Sequence, residues 1–196
     1  MHLFLFTILL AIFSQFAVPE TPGKDTDLGQ RYFKTKLLKN VKDELPVYTP
    51  QDILFVVSHQ ESPNLVIYQA NRKNGQGLDS EKPVDVFWLM NSRGKTTENL
   101  TMIEWKLAYG FKLITIEKGK KYKIAINALK DKIISIVQNQ NGKVDGFMNL
   151  KGINCKLKNV YIAYEETLYI PNVQYIDLSG VDPVSGKNIT ERVFPD

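Results

Sequence analysis

The sequence predicts a mainly β protein: an antiparallel up-and-down barrel or a two-layer sandwich of about nine strands, with one short helix at 102–109. From Ile53 onward, short apolar runs alternate with turns and are rich in Ile, Val, Tyr and Phe, side chains that fit a pleated, half-buried surface. Asn141-Gly142 and Lys118-Gly119-Lys120 fall between such runs, where tight hairpins need the positive φ that Asn and Gly tolerate. Thr101 followed by Glu104 forms a capping box, and Gly110 stands where a left-handed helix cap belongs.

The first element in the chain is an export signal, residues 1–17. Leu3 to Val18 carry no charge, only Thr7, Ser14 and Gln15 interrupt the apolar run, and Pro19 closes it. The run falls short of the ~20 residues that cross a bilayer as a helix, so the mature chain is expected to lack a transmembrane span. His2 and the terminal amine supply the positive end, and cleavage is placed after Ser14 or Ala17. The expected location is periplasmic or secreted. Residues 18–50 read as a leader broken by Pro19, Pro22, Gly23, Pro46 and Pro50, with Phe33, Leu37, Leu38 and Val41 at helical spacing.

Residues 51–196 then read as a single β domain, expected to be a monomer. Its strands are predicted at 53–58, 65–70, 84–90, 111–117, 122–127, 132–138, 143–150, 155–165 and 173–178, too many for one open flat layer. The run 84–90 is apolar on both faces, with Val84, Val86, Trp88 and Met90 on one and Phe87 and Leu89 on the other. That pattern predicts a strand covered on both sides. Met102, Trp105 and Tyr109 form a stripe expected to pack on the sheet or close one end of a barrel. Cys155 alternates with Ile153 and Leu157, which makes it a core thiol. At the end, Asp182-Pro183-Val184-Ser185-Gly186 is turn chemistry, and Ile189 and Val193 predict a last strand along a sheet edge. A polar site built from Asp182, Lys187, Glu191 and Arg192 is the other reading of this tail.

The residue inventory narrows the chemistry. A single cysteine excludes an internal disulfide, and His59 is the one histidine beyond the signal. No zinc, iron or copper ligand set and no Ser-His-Asp arrangement follows from such a composition, and no cofactor is expected. The segment 71–79 carries one carboxylate, Asp79, where a calcium loop uses several, and reads as a turn. Glu61, Asp85, Glu104, Glu165 and Glu166 remain as candidates for acid and base work.

The net charge of +4 is concentrated at Arg31, Lys34, Lys36, Lys39 and Lys42 and around one turn, at Lys118, Lys120, Lys121 and Lys123. Such a turn suits an anionic envelope polymer or lipid head groups, or is simply a solvated face. Nucleic acid is a poor partner for an exported chain with no recognisable binding module. Trp88, Trp105, Tyr109 and Tyr68 are the candidate lining of a small apolar or amphiphilic ligand site, since aromatic bodies with polar tips suit such pockets.

KPVDVFWLM (82–90), IEWKLAYGF (103–111) and LSGVDPVSGKNITERV (178–193) together resemble the blocks of an exported bacterial family known as domain of unknown function 4833, common in Bacteroidetes. The resemblance covers about Gln51 to Phe194. It implies an envelope protein of a bacterium and brings no activity, cofactor or catalytic residue. Three functions are therefore expected in order: non-catalytic binding of a small apolar ligand or a structural role, an interaction module using the basic turn, and a carboxylate-dependent hydrolase.

Overall fold

The computed structural model describes residues 46–73, 77–165 and 172–194. The export signal at 1–17, the leader up to residue 45 and its expected helix lie outside the described residues. The strands are β1 (Ile53–His59), β2 (Leu65–Ala70), β3 (Val84–Met90), β4 (Thr96–Asn99), β5 (Phe111–Glu117), β6 (Lys121–Ile126), β7 (Ile133–Gln138), β8 (Val144–Leu150), β9 (Ile153–Glu165), β10 (Asn172–Val181) and β11 (Asn188–Val193). They form one sheet in the order β4-β3-β2-β1-β9-β8-β7-β6-β5, with β10 branching from β9 and β11 pairing β10. The sheet is mixed and curled into a half-barrel.

All the predicted strands are present, and the tail strand expected from Ile189 and Val193 is β11, on the edge of β10. The addition is β4, whose Thr-Thr-Glu-Asn carries no apolar alternation because it is an edge strand with one neighbour. The meander is antiparallel except at one place: β1 runs parallel to β9, from Val56↔Asn159 to His59↔Ile162. β9 makes this possible by its length. Its first residues pair β8, its middle pairs β1, and β10 runs along most of it.

Curling brings the two halves of the sheet onto one core. Val66, Tyr68 and Val84 from β2 and β3 meet Tyr122, Ile124, Ile134, Ile136, Met148 and Leu157 from the other half. Phe55 stacks on Tyr68 with ring centroids 4.3 Å apart. Each such side chain contributes roughly 1.5–3 kcal/mol on full burial, and these are buried to 2 % exposure or less. Cys155 is among them, and burial, then Asp182, pushes its thiol up from the ordinary value.

β3 is buried on both faces, as its sequence predicts. Phe87 and Leu89 join Ile67 in a second cluster on the far side, packed by Tyr48, Ile53, Val56 and Leu65. The end of the leader lies across this side: the buried Gln69 donates to the Val47 carbonyl at 3.0 Å and accepts from Thr49 N–H at 2.7 Å, while Thr97 donates to the Pro46 carbonyl. A buried amide with both ends satisfied fixes that segment in one register.

Between β4 and β5 the chain forms α1 (Met102–Glu104), continued by a π-helical turn at Trp105–Tyr109. The capping box is complete, with Glu104 N–H donating to Thr101 Oγ1 at 3.2 Å and Thr101 N–H donating to Glu104 Oε2 at 2.7 Å. Two expectations fail here for one reason. Gly110 is extended, at φ −63° and ψ 164°, rather than left-handed, because its N–H closes the wider turn onto the Trp105 carbonyl at 2.9 Å. The wider turn also breaks the 3.6-residue stripe, so Met102 is 58 % exposed while Tyr109 packs against the core.

At the other end, Asp182, Glu191 and Arg192 each have their own structural partner, while Lys187 is exposed. Asp182 caps its turn by accepting from Val184 N–H and Ser185 Oγ. Arg192 makes a two-pronged contact with Asp177, both bonds at 2.8 Å, and lies over the Tyr175 ring. Glu191 accepts from Lys132 Nζ and from Lys151 N–H.

These contacts, Lys132 first, hold the Glu191 carboxyl below its ordinary value, and Asp177 and Asp182 are lowered likewise by Arg192 and by Ser185. A carboxylate depressed in the folded state contributes stability that is present above its unfolded value, about 4, and lost as the pH falls through the folded one. The denaturation midpoint is therefore expected to drop steadily below about pH 5. Glu191→Gln should flatten that slope in a denaturant titration repeated across pH, and an unchanged slope would contradict the assignment.

Candidate functional site

Strand ends and the helix bring His59, Tyr68, Trp88, Glu104 and Tyr109 together at the gap between β4 and β5. The Trp88 and Tyr109 rings meet edge-on at 5.5 Å, and His59 lies 5.6 Å from Trp88 and 5.7 Å from Tyr109. Trp88 Nε1 donates to Glu104 Oε1 at 3.2 Å, and the Tyr68 hydroxyl donates to the Tyr109 carbonyl at 2.5 Å. Burial pushes both phenols well above their ordinary value, with Tyr109 adding to the shift of Tyr68, and Glu104 then Tyr164 adding to that of Tyr109. The Tyr109 hydroxyl lies 2.7 Å from His59 Nε2, in a hydrogen bond whose donor is set by the imidazole tautomer.

Of the aromatics predicted to line a ligand site, Trp88, Tyr109 and Tyr68 converge here. Trp105 instead packs on Phe111, 5.5 Å away, and is 39 % exposed. Tyr68 is fully buried, and its hydroxyl is occupied by a backbone carbonyl. Glu104 has one oxygen on Trp88 and the other on Thr101, so this carboxylate clasps the helix to the sheet. The cluster fastens α1 over the gap. The sequence shows Glu104 as a cap and candidate acid and His59 as a lone histidine, but not their contacts with Trp88, which lies 29 residues from His59 and 16 from Glu104 on another strand.

The other candidate carboxylates are placed differently. Asp85 pairs with Lys82 at 2.6 Å, and Glu166 lies outside the described residues. Glu61 and Glu165, far apart in sequence, line one open cleft of about 520 Å³ together with Gln60, Tyr164 and Gln174. Asp79, in the segment weighed as a calcium loop, accepts from Glu81 and Lys82 N–H and so closes its own turn. Among the described residues, no group of three or more His, Cys, Asp or Glu side chains is placed to hold a metal ion, and no helix is long and apolar enough to cross a membrane.

Strand register defines a third feature, on the outer face of β5 to β9. Tyr122, Ile124 and Ile126 of β6 point into the core, so Lys121, Lys123 and Ala125 point out. Across the ladder Lys123 stands beside Ile114 on one side and Ser135 on the other, and the same row continues through Phe147 to Lys156. The adjacent rows hold Lys121, Val137 and Asp145, and Lys112, Ala125 and Ile133. Ile114 is 49 % and Ile133 41 % exposed.

The face therefore interleaves exposed apolar side chains with lysines, and it also carries Glu117 opposite Lys121 and Asp145 beside Lys156. With strands about 4.8 Å apart, Lys123 and Lys156 stand roughly 14 Å from each other. Lys156 pairs with Asp145. The Lys158 amine is held below its ordinary value by burial, then by Lys156, with Asp145 opposing and Lys143 adding to the shift. Cations that disfavour one another's charge are relieved by an anion.

The predicted basic turn is part of this feature. Lys118, Lys120, Lys121 and Lys123 are all exposed, with Gly119 at φ 79° turning the chain between them. Lys120 pairs with Glu117 at 3.0 Å. Tyr122 anchors the hairpin from below, its hydroxyl accepting from Gly119 N–H at 2.6 Å.

A family model described as Domain of unknown function (DUF4833) matches residues 55–192. No curated protein and no solved structure matches the chain.

Proposed function

We propose that this chain, which belongs to the family described as Domain of unknown function (DUF4833), is a non-catalytic module that works outside the bacterial cytoplasm and docks on an anionic envelope polymer. The docking surface is the outer face of β5 to β9 with the hairpin at 118–123. The observation that carries this reading is the register that sets Lys112, Lys121, Lys123 and Lys156 among exposed Ile114 and Ile133 on one face of the sheet. An outward strand face normally carries polar side chains, and exposed apolar side chains interleaved with charge mark an interaction site. The apolar N-terminal run supports the location, and the charge pattern supports an anionic partner.

A small apolar ligand inside the sheet fits less well, because the interior is occupied by Phe55, Tyr68, Tyr122, Met148 and Leu150, each at most 1 % exposed.

The test is retention of the full chain on immobilised dextran sulfate and polygalacturonate, with neutral dextran as the control. Retention is expected on both charged polymers and is expected to fade as salt shortens the Debye length from about 10 Å at 0.1 M to about 3 Å at 1 M. Joint replacement of Lys118, Lys120, Lys121 and Lys123 by Glu should abolish it. Equal retention on neutral dextran, retention that charge reversal does not change, or binding confined to anionic lipid vesicles would overturn the proposal.

A further inference from the structure

Three strands, β4, β5 and β11, have one neighbour each among the described residues. Two of these edges are blunted against further pairing: β4 is four polar residues long, and β11 sets Glu191 on one face and Arg192 on the other. The edge of β5 is not. It runs for seven residues, every side chain from Lys112 to Glu117 is exposed, and Leu113, Ile114 and Ile116 among them are apolar. Its backbone is open as well. The Gly110 carbonyl accepts from Asn127 N–H at the end of β6, so strand alternation turns the N–H and C=O of Leu113 and the N–H of Thr115 away from β6.

We propose that a second copy of this chain occupies this edge, the two β5 strands pairing antiparallel about a two-fold axis at Ile114 to give a dimer in place of the expected monomer. Charge complementarity favours this occupant and this register. The pairing of β5 with β6 slips between Thr115 and Glu117, so that Glu117 stands opposite Lys121 and shares the outer face with Lys112 and Ile114. With Ile114 on the axis, Lys112 faces the partner's Glu117, and the two-fold supplies that pair twice. The open groups of Leu113 meet those of the partner's Thr115 in the same register. Pairing uses up both β5 edges while the other two are polar, so the assembly closes at two copies instead of growing into a filament. An axis normal to the sheet keeps the lysine faces of both copies on one side.

This inference goes beyond the docking role and does not rest on it, since no polymer enters its test. The mass of the full chain is followed by sedimentation equilibrium over a dilution series, and it should rise with concentration toward that of two chains and no further. Lys112→Glu and Glu117→Lys should each raise the dissociation constant by about tenfold, because each sets like charges opposite one another at two places, and combining them should restore it. Both side chains are exposed, so the variants should stay folded. Ile114→Cys should link to its own copy on mild oxidation, since opposed residues of this kind stand about 4.5 Å apart, within reach of a disulfide. Val184→Cys, 94 % exposed on the turn between β10 and β11, should not. A chain that stays single at every concentration, an association that neither charge variant weakens, or one that the combined exchange does not restore would overturn the proposal. A single chain still retained on dextran sulfate would sink this inference and leave the docking role standing.

Discussion

Gly110→Ala is expected to lower the stability of this chain by about 3 kcal/mol or more, through backbone overlap rather than through any change of polarity. A Cβ built at Gly110 falls 2.1 Å from the Trp105 carbonyl oxygen and 2.9 Å from Asn127 Nδ2. The first of these is main chain and cannot swing aside. It is also the acceptor that closes the π turn onto Gly110 N–H, and the same carbonyl accepts from the Asn127 side chain. Asn127 N–H in turn donates to the Gly110 carbonyl at 2.7 Å, so displacing Gly110 loosens the helix from β6 as well. For a domain whose whole stability is about 5–15 kcal/mol, such a loss is a large fraction. Denaturant unfolding of the variant measures it, and a midpoint equal to wild type would show that the turn is not built as described.

Tyr122→Ala is expected to cost about 3–5 kcal/mol, the range for truncating a large buried aromatic. Tyr122 is fully buried at the centre of the core while its hydroxyl reaches the turn at Gly119. Tyr122→Phe separates the two roles. Keeping the ring preserves the core, and removing the hydroxyl leaves Gly119 N–H without its acceptor, at a cost of about 1 kcal/mol. The phenylalanine variant should therefore remain folded with a less fixed hairpin and bind dextran sulfate more weakly, whereas the alanine variant should unfold at far lower denaturant. Equal stability of the two variants would contradict this division.

Much of the fold was legible because it is written in local patterns. The runs at 65–70, 84–90 and 111–117 coincide with β2, β3 and β5, since β-branched and aromatic residues there are bounded by turn residues on both sides. The hairpin at Asn141-Gly142 was equally plain: Gly142 sits at φ 77°, and Asn139 holds the turn by accepting from Asn141 and Lys143 N–H. What stayed hidden was what arises between distant segments. Parallel pairing of β1 with β9 joins residues about a hundred positions apart, and nothing in either strand names the other. The π turn was hidden as well, because Gly110 serves equally as a left-handed cap or as a residue with no room for a side chain, and only contact with Trp105 decides between them.

The candidate sites divide in the same way. The lysines of the basic turn are contiguous and were visible, but the face to which they belong is assembled by register across β5 to β9, including Lys156 from β9. Glu61 and Glu165 appeared only as scattered acids until β1, β9 and β10 placed them in one cleft. The aromatic set divides as well. Tyr68, Trp88 and Tyr109 do meet, yet they meet to fasten a helix, and Trp105 lies apart on Phe111.

The outer face is most directly tested by acetylating the lysines of the full chain with and without bound dextran sulfate and reading each site by mass spectrometry. Lys112, Lys118, Lys121, Lys123 and Lys158 should be protected by the polymer, while Lys82, Lys95 and Lys187, exposed elsewhere on the molecule, should react as before. Protection spread evenly over all lysines, or confined to the second group, would contradict a docking surface on β5 to β9.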